Sequence, residues 1–177
     1  LLKALLDRKV QETALLNIAD PRAVAAAIDA GVGETVELTV GATFSRTFYE
    51  PVTFTGVVKA LSDGRFRHKG PGFKGSEFQM GRTAVVVSGG IHLVIMEQTV
   101  FQWDPELYRS QGLEPEDAKI VAVKSPAAFR AAFAPIAAEI LVLELPGVSS
   151  PDLQSFPWER ISHPMFPFDD SEDETWL

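Results

Sequence analysis

Apolar residues return along this chain in two rhythms, and each change of rhythm outlines an element. Leu1, Leu2, Leu5 and Leu6 recur at helical spacing and predict a short amphipathic helix over residues 1–10. Thr13 to Ile18 is a compact apolar run, the mark of a buried strand. Asp20-Pro21 then opens a helix: Asp20 can cap free backbone N–H groups and Pro21 suits the first helical position. Ala23 to Ala30 consists of strong helix formers, and Gly31 is a natural stop. From Glu34 to Val40 polar and apolar residues alternate, as in a half-buried strand. The succession strand, helix, strand predicts a βαβ unit or a split version of one.

The middle of the chain keeps the period of two. Val52 to Leu61 predicts a long strand, Ser62-Asp63-Gly64 a hairpin-type turn, and Arg65 to His68 the returning strand. Glycines 70, 72 and 75 mark an irregular loop. Arg82–Ser88 and Ile91–Val100 predict two strands joined at Gly89-Gly90. Mixed patterning then resumes. Asp104-Pro105 starts a short helix that ends by Gly112, and Lys119 to Val123 is a short strand. Ser125-Pro126 opens a helix through Phe133, with Ser125 as its N-cap, and Glu139 to Leu145 reads as a last strand. Past Pro146 the chain is rich in Pro, Ser and aromatic residues, which suits an extended segment over a surface. The fold class is therefore mixed α/β, with a β-rich centre flanked by strand–helix–strand units and an extended Pro-rich C-terminal segment.

At 177 residues and 46% hydrophobic content the chain suits one domain with a real core. Its net charge is −8, and five acids in 169–174 carry most of it, leaving the rest near −3. We read residues 1–168 as the domain and 169–177 as an acidic, solvated tail. A nucleic-acid partner needs a basic face that this charge distribution does not offer. No apolar run approaches the roughly 20 residues needed to span a bilayer, so no membrane partner is expected. The absence of cysteine removes disulfides and thiolate metal sites. The opening at Leu1, inside a helical pattern and without Met, suggests a fragment of a longer protein.

Candidate chemistry is sparse. His68, His92 and His163 lie far apart in sequence, with no pair at the short spacing usual in zinc sites. His92, inside an apolar strand, reads as structural. Gly31-x-Gly33 follows a helix instead of preceding one, so it suits a C-cap and not a phosphate loop. Lys124-Ser125 is the sharpest feature, because it falls where a predicted strand meets a predicted helix, the edge at which open α/β sheets bind ligands. Three readings stand in order: an N-cap with a structural Lys, an anion contact using the hydroxyl and free helix N–H groups, and a Ser–Lys nucleophile. Adjacent strand residues point to opposite faces, which weighs against the last. Asp63 has a turn role, whereas Arg65, alternating with Arg67 and Lys69 on one face, suits a solvated strand face and could also bind an acidic group.

Several stretches in order resemble the C-terminal domain of the microcystinase C-like (MlrC-like) zinc metallopeptidases. They are Ile18-Ala-Asp-Pro-Arg-Ala-Val24, Ala30-Gly-Val-Gly-Glu-Thr-Val-Glu-Leu38, Ala60-Leu-Ser-Asp-Gly-Arg-Phe66, and Val123-Lys-Ser-x-x-x-Phe-Arg-Ala-Ala-Phe-Ala-Pro-Ile-Ala137. Pro146-Gly-x-x-Ser-Pro-Asp152 and His163-Pro-x-x-Pro-Phe-Asp169 complete the set. The resemblance implies a C-terminal accessory domain of a zinc-dependent metallopeptidase or amide hydrolase. In such a protein an N-terminal domain holds the zinc, and this chain, with no metal of its own and no activity alone, walls the cleft. Its partners would be that N-terminal metal-binding domain, a peptide or amide substrate, and a second copy if it is a homo-oligomer. A bacterial cytoplasmic location is implied. Substrate contacts fall to Lys124, Ser125, Asp63 and Arg65. The chain departs from the family at Ala128, where relatives often carry His, and lacks the glycine-rich lead-in before the first helix. The alternative is a non-catalytic binding or oligomerisation module.

Overall fold

A computed structural model describes residues 1–43, 49–125, 127–143, 145, 153–166 and 168–169. The chain divides into two compact units, Leu1–Leu141 and Val142–Leu177.

The first unit is built on a six-stranded mixed sheet. Its strands are β1 (Ala14–Ala19), β2 (Thr35–Val40), β3 (Val52–Ser62), β6 (Thr83–Ser88), β7 (Ile91–Met96) and β8 (Ile120–Val121), in the order β2-β3-β6-β7-β1-β8. Between β3 and β6 the chain makes a separate two-stranded sheet from β4 (Arg65–Arg67) and β5 (Glu77–Gln79). Helices α1 (Leu2–Asp7), α2 (Pro21–Ala30), α3 (Glu106–Arg109) and α4 (Arg130–Phe133) complete the labelled elements.

Alternation along the central strands gives the sheet two buried faces. Ala14 and Leu16 of β1, Ala84 and Val86 of β6, and Ile91, Leu93 and Ile95 of β7 join Ala23, Val24 and Ala27 of α2 in one core. Leu15, Val85, Val94 and Met96 point the other way, into a second core with Phe66, Met80, Leu107 and Tyr108. Each fully buried Leu, Ile, Val or Phe contributes on the order of 1.5–3 kcal/mol. The small residues on the buried stripe of α2 let the helix lie close to the sheet. Asp20 caps that helix as expected, its carboxylate accepting from the N–H groups of Arg22 and Ala23.

Four expectations change. β2 is not the parallel partner of β1. It joins the far edge antiparallel to β3, and three strands separate it from β1. The Asp63-Gly64 turn is real, with Asp63 Oδ1 accepting from the Arg65 N–H at 3.1 Å. It does not close a hairpin, however: β4 leaves β3 and pairs with β5, because Phe66 is buried in the second core. Gly64 sits at φ +71°, and a Cβ there would stand 2.1 Å from the Gly81 carbonyl oxygen. Residues 139–143 and 145 form no strand, and Leu141, 72% exposed, shows that the apolar run finds no partner sheet among the described residues. The helix expected from Ser125 begins at Arg130, with Phe129 at its N-cap position and no side-chain cap.

In the second unit, Trp158 donates from its indole to the Leu153 carbonyl at 2.6 Å and packs edge-on against Phe156 and Phe168. Asp169 accepts from the Met165 N–H and from His163. Both lower its pKa, the backbone bond more than the imidazole. The rest of the acidic tail, 170–177, and the Pro146–Asp152 stretch lie outside the described residues.

Candidate functional site

The site grows out of β5 and the run that follows β7. After Met96 the chain leaves the sheet, anchored by a bond from the Gln98 N–H to the Met80 carbonyl. Residues 99–102 then pass opposite Glu77, Phe78 and Gln79, and a hollow of about 640 Å³ lies between them, with Lys124 on its rim. Lys124 is held there through its backbone, whose N–H donates to Gln102 Oε1 at 2.6 Å. Its side chain is exposed and has no ion pair among the described residues.

An aromatic row ties the two walls together. Phe101 stacks on Trp103 at 4.3 Å between ring centroids, Trp103 on Phe73 at 5.2 Å, and Phe73 meets Phe78 edge-on at 6.4 Å. Phe78 stacks on His68 at 4.1 Å, and His68 on Phe66 at 5.4 Å. One end of the row is core and the other is solvent: His68 is buried, while Phe73 and Phe101 are 58% and 57% exposed.

Of the residues singled out from sequence, Lys124 borders this hollow. Ser125, next to it, is half-buried, and its hydroxyl has no hydrogen-bond partner among the described residues. The N-cap reading of Ser125 therefore gives way, since α4 starts beyond it. Asp63 and Arg65 pair with each other, carboxylate to guanidinium at 3.4 Å, and both are well exposed. Arg65 sits opposite Gln79, a lining residue, so that pair lies one strand away from the hollow. Phe73, Phe101, Gln102 and Trp103 were not foreseen. The signal lay in Phe101-Gln-Trp103, where alternation continues after β7 has ended.

The other charge on the rim is already matched. Glu77 pairs with Arg67, and that guanidinium holds its carboxyl below the usual range. Among the described residues Lys124 is thus the unmatched charge at the hollow.

A smaller hollow of about 270 Å³ lies by the start of α2, bordered by Asp20, Arg22, Gly41 and Thr43. The Asp20 carboxylate is fully engaged there, accepting also from the Gly41 N–H at 3.1 Å and the Thr43 hydroxyl at 2.6 Å.

Among the described residues no group of three or more His, Asp or Glu side chains could hold a metal ion. His68 is enclosed by two rings, with Nδ1 3.3 Å from the Gly72 carbonyl oxygen. Burial, then Lys59, pushes the His92 pKa down. His163 bonds to Asp169. No helix among the described residues is long and apolar enough to cross a membrane.

Comparison with known proteins gives a consistent picture. A family model described as "MlrC C-terminus" matches residues 1–160. Microcystinase C of a Sphingomonas species is 25% identical over 169 residues, which are 96% of this chain and 32% of that protein. The chain thus spans about a third of that relative's length. The crystal structure of a protein from Mesorhizobium sp. BNC1, designated a candidate metallopeptidase, superposes with a TM-score of 0.82 at 24% identity. It covers 97% of this chain and 34% of that one. The structural likeness shows that the fold is shared.

Proposed function

The chain belongs to the MlrC C-terminal family, and from that membership we propose that it is the accessory domain of a zinc-dependent metallopeptidase or amide hydrolase. In this reading the N-terminal part of the parent protein holds the metal, and this domain docks on it and walls the substrate cleft. The observation that carries the reading is the match along residues 1–160, joined to a relative named as a microcystinase of which the chain spans a third. The donor chemistry supports placing the ligands elsewhere. Among the described residues the three histidines sit in three separate settings, and no group of His, Asp or Glu side chains there could hold a metal ion. The chain's own residues supply binding and positioning: Lys124 and Ser125 contact substrate, with Asp63 and Arg65 as secondary contacts. The exposed apolar run Leu141, Val142, Leu143 and Leu145 supports a docking role. We place the parent in the bacterial cytoplasm.

The same exposed run favours a second reading, a non-catalytic module that pairs with another copy of itself. Metal content and peptide hydrolysis of the isolated 177 residues and of the full-length parent separate the two. The accessory-domain reading expects metal and hydrolysis in the parent and neither in the isolated chain. Stoichiometric zinc with hydrolysis in the isolated chain, or a parent that binds no metal, overturns it.

A further inference from the structure

The six-stranded sheet ends on one side in β8, two residues long, and on the other in β2, six residues long. β2 pairs with β3 in unbroken register from Thr35 to Val40 and has no second ladder partner among the described residues. Native sheets guard such an edge with Lys, Pro, a bulge or a covering segment. β2 contains no Lys or Pro, and no bulge interrupts its pairing. Glu37, Leu38 and Thr39 all border the hollow of about 270 Å³ beside α2. Successive strand side chains point to opposite faces, so three in a row reach one hollow where the backbone edge faces it. The facing wall is Arg22, Ala23 and Ala26 of α2.

α2 runs against the direction of β2. Its cap, Asp20, accepts from the Gly41 N–H at the end of β2, and Gly31 closes the helix shortly before β2 begins. The exposed stripe of α2 is Arg22, Ala26 and Asp29, spaced i, i+4, i+7. Neither Arg22 nor Asp29 makes an ion pair among the described residues. Arg82, whose charge also senses Asp29, is already paired with Glu97.

We propose that β2 pairs antiparallel with β2 of a second copy, joining two six-stranded sheets across a two-fold axis. Residues opposite each other in an antiparallel pair share a face. The register that fits sets Leu38 beside its own copy, Glu37 beside Thr39, and Val36 beside Val40 on the face that α2 covers. A slip of one residue would set Leu38 against Glu37, and a slip of two would set glutamate against glutamate. The same axis places the two α2 helices side by side and antiparallel. Arg22 of each copy then meets the partner's Asp29, and the alanines between them let the helices approach to about 8–10 Å. Opposite charges at the two ends of a small-residue centre make the surface complementary to itself. The inference depends on neither reading of the parent's activity: two copies pair at β2 whether or not a metal is held elsewhere.

The test is sedimentation of the 177-residue chain carrying Leu141→Ser and Leu143→Ser, so that association through the exposed apolar run is suppressed. A monomer–dimer equilibrium is expected. Arg22→Glu and Asp29→Lys, each added alone, weaken the dimer about tenfold, since each turns two attractions into two repulsions. An acid near the start of α2 and a base near its end both suit the helix dipole, so neither change weakens the helix itself. Mixing the two variants in equal amounts restores a heterodimer of the original strength, because every Arg22–Asp29 position is again occupied by opposite charges. The chain has no cysteine, so Glu37→Cys and Thr39→Cys chains report the register: mixed, they oxidise to a covalent dimer faster than either does alone. A monomer at every concentration, a dimer indifferent to both reversals, reversed chains that do not pair on mixing, or a Glu37→Cys chain that cross-links faster alone than in the mixture overturns the proposal. Such a failure removes this interface alone, since the measurement reads neither metal nor hydrolysis, and pairing through the exposed run is read in the unsubstituted chain.

Discussion

The Thr43 hydroxyl donates to Asp20 Oδ2 across 2.6 Å, so the acid that starts α2 also holds the chain where it leaves β2. Oδ1 serves the N–H groups of Arg22 and Ala23, and Oδ2 serves Gly41 and Thr43. Asp20→Ala removes acceptors for four donors in two segments and is expected to destabilise the fold by about 2–4 kcal/mol. Thr43→Val removes one of them and is expected to cost about 1 kcal/mol. Urea unfolding of both variants measures this, and near-equal losses would argue against the shared anchor.

Tyr108 offers a test by pH. Its buried hydroxyl donates to the Ala122 carbonyl at 2.6 Å and accepts from Asn17 at 2.8 Å. Burial pushes its pKa well above the ordinary phenol value, more than the Asn17 bond lowers it. With the folded value raised, the stabilising protonated form is fully present below about pH 10, the unfolded tyrosine's pKa. Stability is lost as pH rises beyond that. Tyr108→Phe should flatten this alkaline decline and cost about 1–2 kcal/mol at neutral pH. Thermal midpoints across pH 8 to 11 decide it; parallel curves for the two proteins would contradict it.

Much of this architecture is readable from residues alone, and the exceptions share a cause. The caps and turns at Asp20, Gly31 and Gly89-Gly90 are local, so propensity and spacing fix them. Strand partners are not local. The chain around Asp63-Gly64 has hairpin chemistry, yet burial of Phe66 takes β4 off the main sheet. The Glu139-to-Leu145 run is almost continuously apolar, but among the described residues it pairs with no strand. The hollow was half legible: Lys124 stood out at a strand end, whereas the aromatic row needs the loop of Phe73 to fold back onto Trp103, which no spacing rule conveys. The pairing of Asp63 with Arg65 likewise appears once both side chains are placed.

Gly90 is expected to tolerate no side chain. A Cβ there would lie 2.3 Å from the Glu12 carbonyl oxygen and 2.5 Å from that of Gln11. Since both neighbours are backbone, Gly90→Ala should cost about 3 kcal/mol, at the upper end for overpacking. Gly72→Ala is a control, because nothing lies within 4 Å of its Cβ position. Equal midpoints for the two variants would sink the close-approach argument.

In the second unit, Asp169 should titrate below the usual carboxylate range. Its largest lowering influence is the Met165 N–H, followed by His163. The turn's stability from this acid is thus present above the ordinary Asp pKa and fades as pH falls through the lower folded value. His163→Ala should move the Asp169 titration part of the way up, followed by carbon-detected NMR. No movement would show that the imidazole plays no part.

Leu141 and Leu143 should govern self-association of the isolated chain. Replacing both with Ser removes exposed apolar surface without touching either core, so the thermal midpoint should move by less than about 0.5 kcal/mol in equivalent stability. Sedimentation should show less association with rising concentration. A large fall in midpoint instead would mean that the run is buried in solution.

The placing of β1 sets the order in which this chain can mature. Ala14 lies beside Ile91 on one side and Ile120 on the other, so a strand made early in this domain waits for neighbours made later. The antiparallel succession β3, β6 and β7 needs shorter chain closures and can assemble first. During translation the apolar segment Ala14–Ala19 is therefore exposed until Ile91–Met96 has emerged, and Ile120–Val121 joins the sheet after it, because β1 is the strand it pairs with.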